Sequence, residues 1–163
     1  MKNMEQFEKD GLIGEGKFRD YLDRLGVPYL PIDQAPETHS EQFHGLAKRP
    51  DSLVLLGAAR FAAIEVKTKR PGFWTGSRTA CVGVNRADLE KLAEFERLAG
   101  IPVFVAFFDG WNPGFAEVWR IARLSAIRPA REFGDFVAID LNSMEPVRSR
   151  AQLMPLLMRE VAR

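Results

Sequence analysis

The chain has one cysteine, Cys81, and two histidines, His39 and His44, among its 163 residues. A lone cysteine excludes an internal disulfide and fits a reducing compartment. With so few nitrogen and sulfur ligands, the composition also argues against a zinc site. No apolar run approaches the roughly 20 residues that span a bilayer. The opening MKNMEQFEKD lacks the hydrophobic centre of a secretory signal. The expectation is a cytoplasmic protein with no membrane partner. Several chemistries lack their parts: there is no G-x-x-x-x-G-K-[ST], no G-x-G-x-x-G after a strand, no H-E-x-x-H and no G-x-S-x-G. Repeats and linkers are absent as well, so residues 1–163 read as one domain.

Charges of the two signs nearly cancel overall but are unevenly placed. The net charge is +1. Between Lys48 and Arg86, however, eight basic residues face only Asp51 and Glu65, a local +6 that leaves −5 for the remainder. Lys48, Arg49, Lys69, Arg70, Arg78 and Arg86 are the candidate contacts to a phosphate backbone. The same cluster also suits a solvated rim that keeps the protein soluble.

Hydrophobic periodicity supplies the elements. Phe18, Tyr21, Leu22 and Leu25 recur at helical spacing within Glu5–Leu25, and Gly26 and Pro28 end the pattern. Gly11, Gly14 and Gly16 weaken that helix, leave its start open and allow close approach by another chain or a ligand. Residues 27–32, interrupted by two prolines, can form at best an edge strand. The polar stretch Asp33–Lys48 follows; it is long for a loop in a compact domain and carries both histidines. Ser52–Leu56 and Arg60–Val66 form a predicted hairpin turned at Gly57. Pro71–Ser77 is a loop whose Phe73 and Trp74 can stack on bases or pack on the protein. A strand is expected at 79–84, and Asn85 caps a helix that ends at Gly100, with Asp88 as a weak capping-box partner. Strands at 101–108, 115–121 and 136–141 and a helix over 150–161 complete an α/β fold, a mixed central sheet flanked by helices.

The chemistry gathers around RPDSLVLLGAARFAAIEVKTKR, residues 49–70. Strand alternation places Phe61, Ala63, Glu65 and Lys67 on one face and Ala62, Ile64 and Val66 on the other. Asp51 and Glu65 thus stand at the ends of strands that otherwise bury themselves. Two such carboxylates suit a divalent cation. Lys67 would point to the same place and offset charge on a phosphate. Glu15, seven residues before Leu22, falls at the margin of the first helix's apolar stripe. It suits either a boundary glutamate or a group brought alongside the pair. Paired carboxylates also serve glycosidases, but the lysine and its basic surroundings favour phosphate.

RPDSLVLL…FAAIEVKTK resembles the PD-(D/E)XK nuclease superfamily, and in particular the archaeal-type Holliday junction resolvases. VNRADLEKLAEFERLAGIPVFVAFFDGW is similar to the helix and strand that follow the motif there, so the likeness runs from about Gly11 to Ile121. The resemblance implies a restriction-endonuclease-like αβββαβ core and a Mg²⁺-dependent DNA endonuclease, with Mn²⁺ as a substitute. It implies Asp51, Glu65 and the carbonyl of Val66 as metal ligands, Lys67 as the catalytic lysine and Glu15 as the first-helix acid. It also implies branched DNA as substrate and a homodimer, because two symmetric cuts need two sites. The family's arginine after the helix acid is absent, since Gly16 and Lys17 follow Glu15, and the loop before Asp51 is longer. Both departures bear on junction specificity more than on cleavage. Nicking or restriction-type nucleases and a non-cleaving DNA-binding module of this fold are the alternative readings.

Overall fold

The computed structural model describes residues 4–38, 40–41, 43, 45–73, 80–111 and 117–161, with the side chains of 4–8, 36, 73, 160 and 161 excepted. His39, His44, Trp74 and Arg78 lie outside the described residues. The chain runs α1 (Met4–Arg24), β1 (Tyr29–Pro31), β2 (Ser52–Gly57), β3 (Arg60–Lys67), β4 (Gly72–Phe73), β5 (Ala80–Asn85), α2 (Arg86–Ala99) and β6 (Val103–Phe108). It continues through β7 (Trp119–Arg123), β8 (Arg131–Phe133), β9 (Phe136–Asp140), β10 (Pro146–Val147) and α3 (Arg150–Val161).

α1 is continuous through its three glycines, because the packed face, not intrinsic propensity, decides its extent. Phe18, Tyr21 and Leu22 are buried on that face. The helix stops at Gly26, whose φ of +63° is left-handed, while Val27 N–H returns to the Leu22 carbonyl at 3.0 Å. β1 is an edge strand, antiparallel to β2. The β2–β3 hairpin closes through Ala58 and Ala59, both left-handed at φ of 50° and 58°. Its two-residue turn therefore lies one step beyond the expected Gly57.

The central sheet is mixed, in the order β1-β2-β3-β6-β7-β10, with β3 and β6 its parallel pair. All six residues of β6 are buried, as expected for a central strand covered on both faces. On one face, Ala62, Ile64 and Phe104 pack with Phe18 and Leu22 of α1 and with Leu153 and Leu157 of α3. On the other, Ala63 and Val103 meet Leu92 and Phe95 of α2.

The mixed sheet with flanking helices matches the sequence pattern, but a second sheet is added to it. β5 pairs with β9, not with β3, in a four-stranded sheet ordered β4-β5-β9-β8. The reason is that both edges of β3 are already occupied, by β2 and by β6. Val82, Val84, Val137 and Ile139 of this sheet bury against Val105 and Phe107 of β6. The strand expected over 115–121 is seen as β7 from Trp119; residues 112–116 lie outside those described.

Candidate active site

Alternation along β3 sets the site. Glu65 follows Ala63 on the α2 side and is 1% exposed, although it is a carboxylate. Asp51, just ahead of β2, is tied to β3 twice. Its N–H donates to the Ile64 carbonyl at 2.9 Å, and its Oδ2 accepts from the Val66 N–H at 2.6 Å. Hydrogen bonding to a neighbouring strand thus fixes where this carboxylate sits.

Lys67 Nζ lies 2.6 Å from Glu65 Oε1, as the two-residue spacing requires. Lys48, expected as a contact to DNA, instead enters the site: its Nζ lies 2.5 Å from the same oxygen. Both lysines also stand 3.5 Å from Oδ2 of Asp88, in the first turn of α2. The other oxygen of Glu65, Oε2, is buried and has no hydrogen-bond partner among the described residues.

The electrostatics follow from burial and from these neighbours. Asp51 is pushed up to about 8, first by burial and then by the Glu65 charge, against the Val66 hydrogen bond. Glu15 is raised by burial; Arg19 lowers it, and Glu65 raises it further. Burial would raise Asp88 too, but Lys48 and Lys67 together hold it below the ordinary carboxylate range. Burial works against the Lys48 charge, yet Glu65 and Asp88 keep this lysine firmly protonated.

α1 brings Glu15 to the pair by close approach. Gly14, one residue earlier, is seated on Thr68, and an added Cβ would stand 2.4 Å from Thr68 Oγ1. Lys17 does not replace the missing arginine at the site, because its Nζ lies 4.8 Å over the ring of Phe108.

The remaining sequence candidates are distributed around this centre. Arg49 donates to Thr38 Oγ1 at 2.6 Å and to the Ala35 carbonyl at 2.8 Å, so it braces the 33–48 loop. Arg86 pairs with Glu132 at 3.0 Å. Lys69 and Arg70 are exposed beyond the end of β3, Lys69 standing 5.8 Å over Phe136. The sequence reading missed Asp88 as a site residue by giving it only to the helix cap. The signal was there: Asp88, Leu92 and Phe95 share one helix face, and Leu92 and Phe95 are its buried residues. Asn85 caps α2, accepting from the Ala87 N–H at 2.9 Å.

Among the described residues, no three His, Cys, Asp or Glu side chains form a ready-made metal cluster, and no helix is long and apolar enough to cross a membrane.

A mixed sheet covered by helices, with acids and lysines meeting where β2 and β3 pair, defines an α/β fold. The chain is similar in structure to Hjc of Archaeoglobus fulgidus, a Holliday junction resolvase from an archaeal hyperthermophile, with a TM-score of 0.51. The match covers 80% of this chain and 88% of that one at 20% identity, so the likeness is one of fold. No protein-family model and no curated protein sequence matches the chain.

Proposed function

We propose that this protein is a Mg²⁺-dependent DNA endonuclease of the PD-(D/E)XK type that hydrolyses phosphodiester bonds. A Holliday junction resolvase is its most specific form. The whole chain would act as one nuclease-like unit. The observation that carries the reading is Glu65: fully buried, held by Lys67 and Lys48 on one oxygen and, among the described residues, unpartnered on the other. Beside it stands Asp51, whose ionised form is disfavoured by burial and by Glu65 itself. Negative charge crowded in this way fits a divalent cation, which takes hard oxygen ligands and tolerates as few as one or two carboxylates.

Asp51, Glu65 and the Val66 carbonyl would hold the ion, with Glu15 contributing from α1. When bound, Mg²⁺ supplies Lewis acidity and a water of lowered pKa. The chain's own residues do the rest. Lys67 carries positive charge beside Glu65, where it can meet the phosphate oxygen on which charge builds. The Val66 N–H keeps the Asp51 carboxylate in place, and the neighbouring core limits bulk water. Glu15 would accept a hydrogen bond from a bound water.

Asp51→Asn and Glu65→Gln are each expected to abolish Mg²⁺-dependent cleavage while leaving the fold and much of the DNA affinity intact. Lys67→Ala is expected to slow cleavage more than it weakens binding; equal losses would make it only a phosphate contact. A panel of four-way junction, flap, single-stranded and linear duplex DNA, with and without metal, tests the specific form. Two symmetric nicks in the junction support a resolvase. Binding without cutting in either Mg²⁺ or Mn²⁺ would leave only a DNA-binding module.

A further inference from the structure

Two lysines converge on Glu65, whereas the proposed chemistry uses one. Lys48 and Lys67 are nearly equivalent in distance, at 2.5 and 2.6 Å from Glu65 Oε1 and each 3.5 Å from Asp88 Oδ2. They differ in origin. Lys67 belongs to β3, whereas Lys48 arrives on the segment that leads to Asp51, where its N–H donates to the Lys91 carbonyl of α2 at 3.1 Å. Lys48 is also the less enclosed of the two, its side chain 29% exposed against 15% for Lys67. It has the greater room to move.

These four groups balance, two cations against two carboxylates, so the chain neutralises Glu65 by itself. A divalent cation at the free Oε2 of Glu65 would stand one carboxylate's width from two ammonium groups on Oε1, and like charges at such range repel strongly in a partly buried site. Withdrawal of one lysine relieves that repulsion. Asp88 is already within reach of both, and their charges hold its carboxyl below the ordinary range against burial.

We infer that Lys48 is the exchangeable counter-ion of Glu65, and that Asp88 is a positioning residue that receives it when a divalent cation occupies Glu65. The inference rests on the metal-dependent reading above and names two residues which that reading does not use. Lys48 competes with the metal for the charge of one carboxylate, so its effect on metal affinity is opposite in sign to that of a ligand. Asp88 favours metal entry by offering the displaced lysine a place to go.

Calorimetric titration of the full chain with Mn²⁺, without DNA, tests this. Lys48→Met keeps the apolar stem and removes the charge; it is expected to bind Mn²⁺ on the order of tenfold more tightly than wild type. Lys48→Arg, which restores the charge, should return the affinity to the wild-type value. Asp88→Asn should bind several-fold more weakly, because both lysines then stay on Glu65. Circular dichroism checks that each variant is folded. A folded Lys48→Met with unchanged or weaker Mn²⁺ binding overturns the counter-ion role, and wild-type affinity in Asp88→Asn overturns the role of Asp88. The Glu65→Gln titration separates the two levels. If Glu65→Gln binds Mn²⁺ as wild type does, the metal-site reading fails and this inference fails with it. If Glu65→Gln loses binding while Lys48→Met is unchanged, the inference alone fails.

Discussion

At the scale of the residue, Asp51 is placed by backbone hydrogen bonds and not by a counter-ion of its own. Its nearest partner is the Val66 N–H at 2.6 Å, while Glu65 and Glu15 both oppose its charge. The consequence is a penalty on the folded state that depends on pH. Unfolded, the carboxyl titrates near 3.8; folded, it is pushed up to about 8. Between those values the folded protein holds a proton that the unfolded chain has released. The contribution of this group to stability is therefore complete below the lower value and falls as pH rises towards the upper. Asp51→Asn removes the ionisation and keeps an acceptor for the Val66 N–H. In chelator, its melting temperature should gain on wild type as pH is raised from 5 to 8. A gain of about 1 kcal/mol would appear as about 2–4 °C at this chain length. A difference that stays constant across the range would show that Asp51 is ionised without cost. The same substitution should thus stabilise the metal-free protein and abolish cleavage, the pattern expected of a group kept for function.

At the scale of the element, the site depends on how closely α1 lies against the end of β3. Gly14 is buried there against Thr68, whereas nothing stands within 4 Å of a Cβ added at Gly11. Alanine at either position gains about 1 kcal/mol of helix propensity, but at Gly14 it collides with a short side chain that has little room to yield. Gly14→Ala is expected to be about 1–3 kcal/mol less stable than Gly11→Ala. Adding Thr68→Ala should recover most of the loss, as read from denaturant midpoints. Equal stabilities would mean that the helix can shift without cost, and with it Glu15.

The three glycines were visible in the sequence as a weakness of the helix that allows close approach; that Gly14 is the contact, and Thr68 of the same chain its neighbour, was not, because a contact requires knowing what lies opposite. The same limit applies to Lys48 and Asp88. Period-2 alternation made the Glu65–Lys67 pairing legible, since both lie on one strand. Lys48 meets Glu65, and Asp88 meets the two lysines, only through the packing of α2 and the segment before Asp51 against the sheet. The second sheet was hidden for a related reason: its strands were recognisable, but their partners depend on which edges of the first sheet are free.

At the scale of the whole molecule, the basic surplus between Lys48 and Arg86 divides into charges already used and charges presented outward. Lys48 and Lys67 face Glu65 and Asp88, Arg49 braces the loop ahead of Asp51, and Arg86 is paired with Glu132. Lys69 and Arg70 continue β3 past Glu65 into solvent, which places them where a phosphate backbone would run if Glu65 faces the scissile bond. Counter-ion release makes this division measurable, because each phosphate neutralised adds about 0.9 to the slope of log affinity against log salt. Lys69→Ala with Arg70→Ala should weaken binding across DNA sequences and lower that slope by about two. Arg86→Ala should leave the slope unchanged, since it loses an ion pair within the protein and not a phosphate contact. A reduction by Arg86→Ala as large as that of the double variant would put the DNA across the N-terminus of α2 instead. The duplex would then approach over the second sheet, and the departures from the resolvase pattern near Glu15 would no longer bear on how it is held.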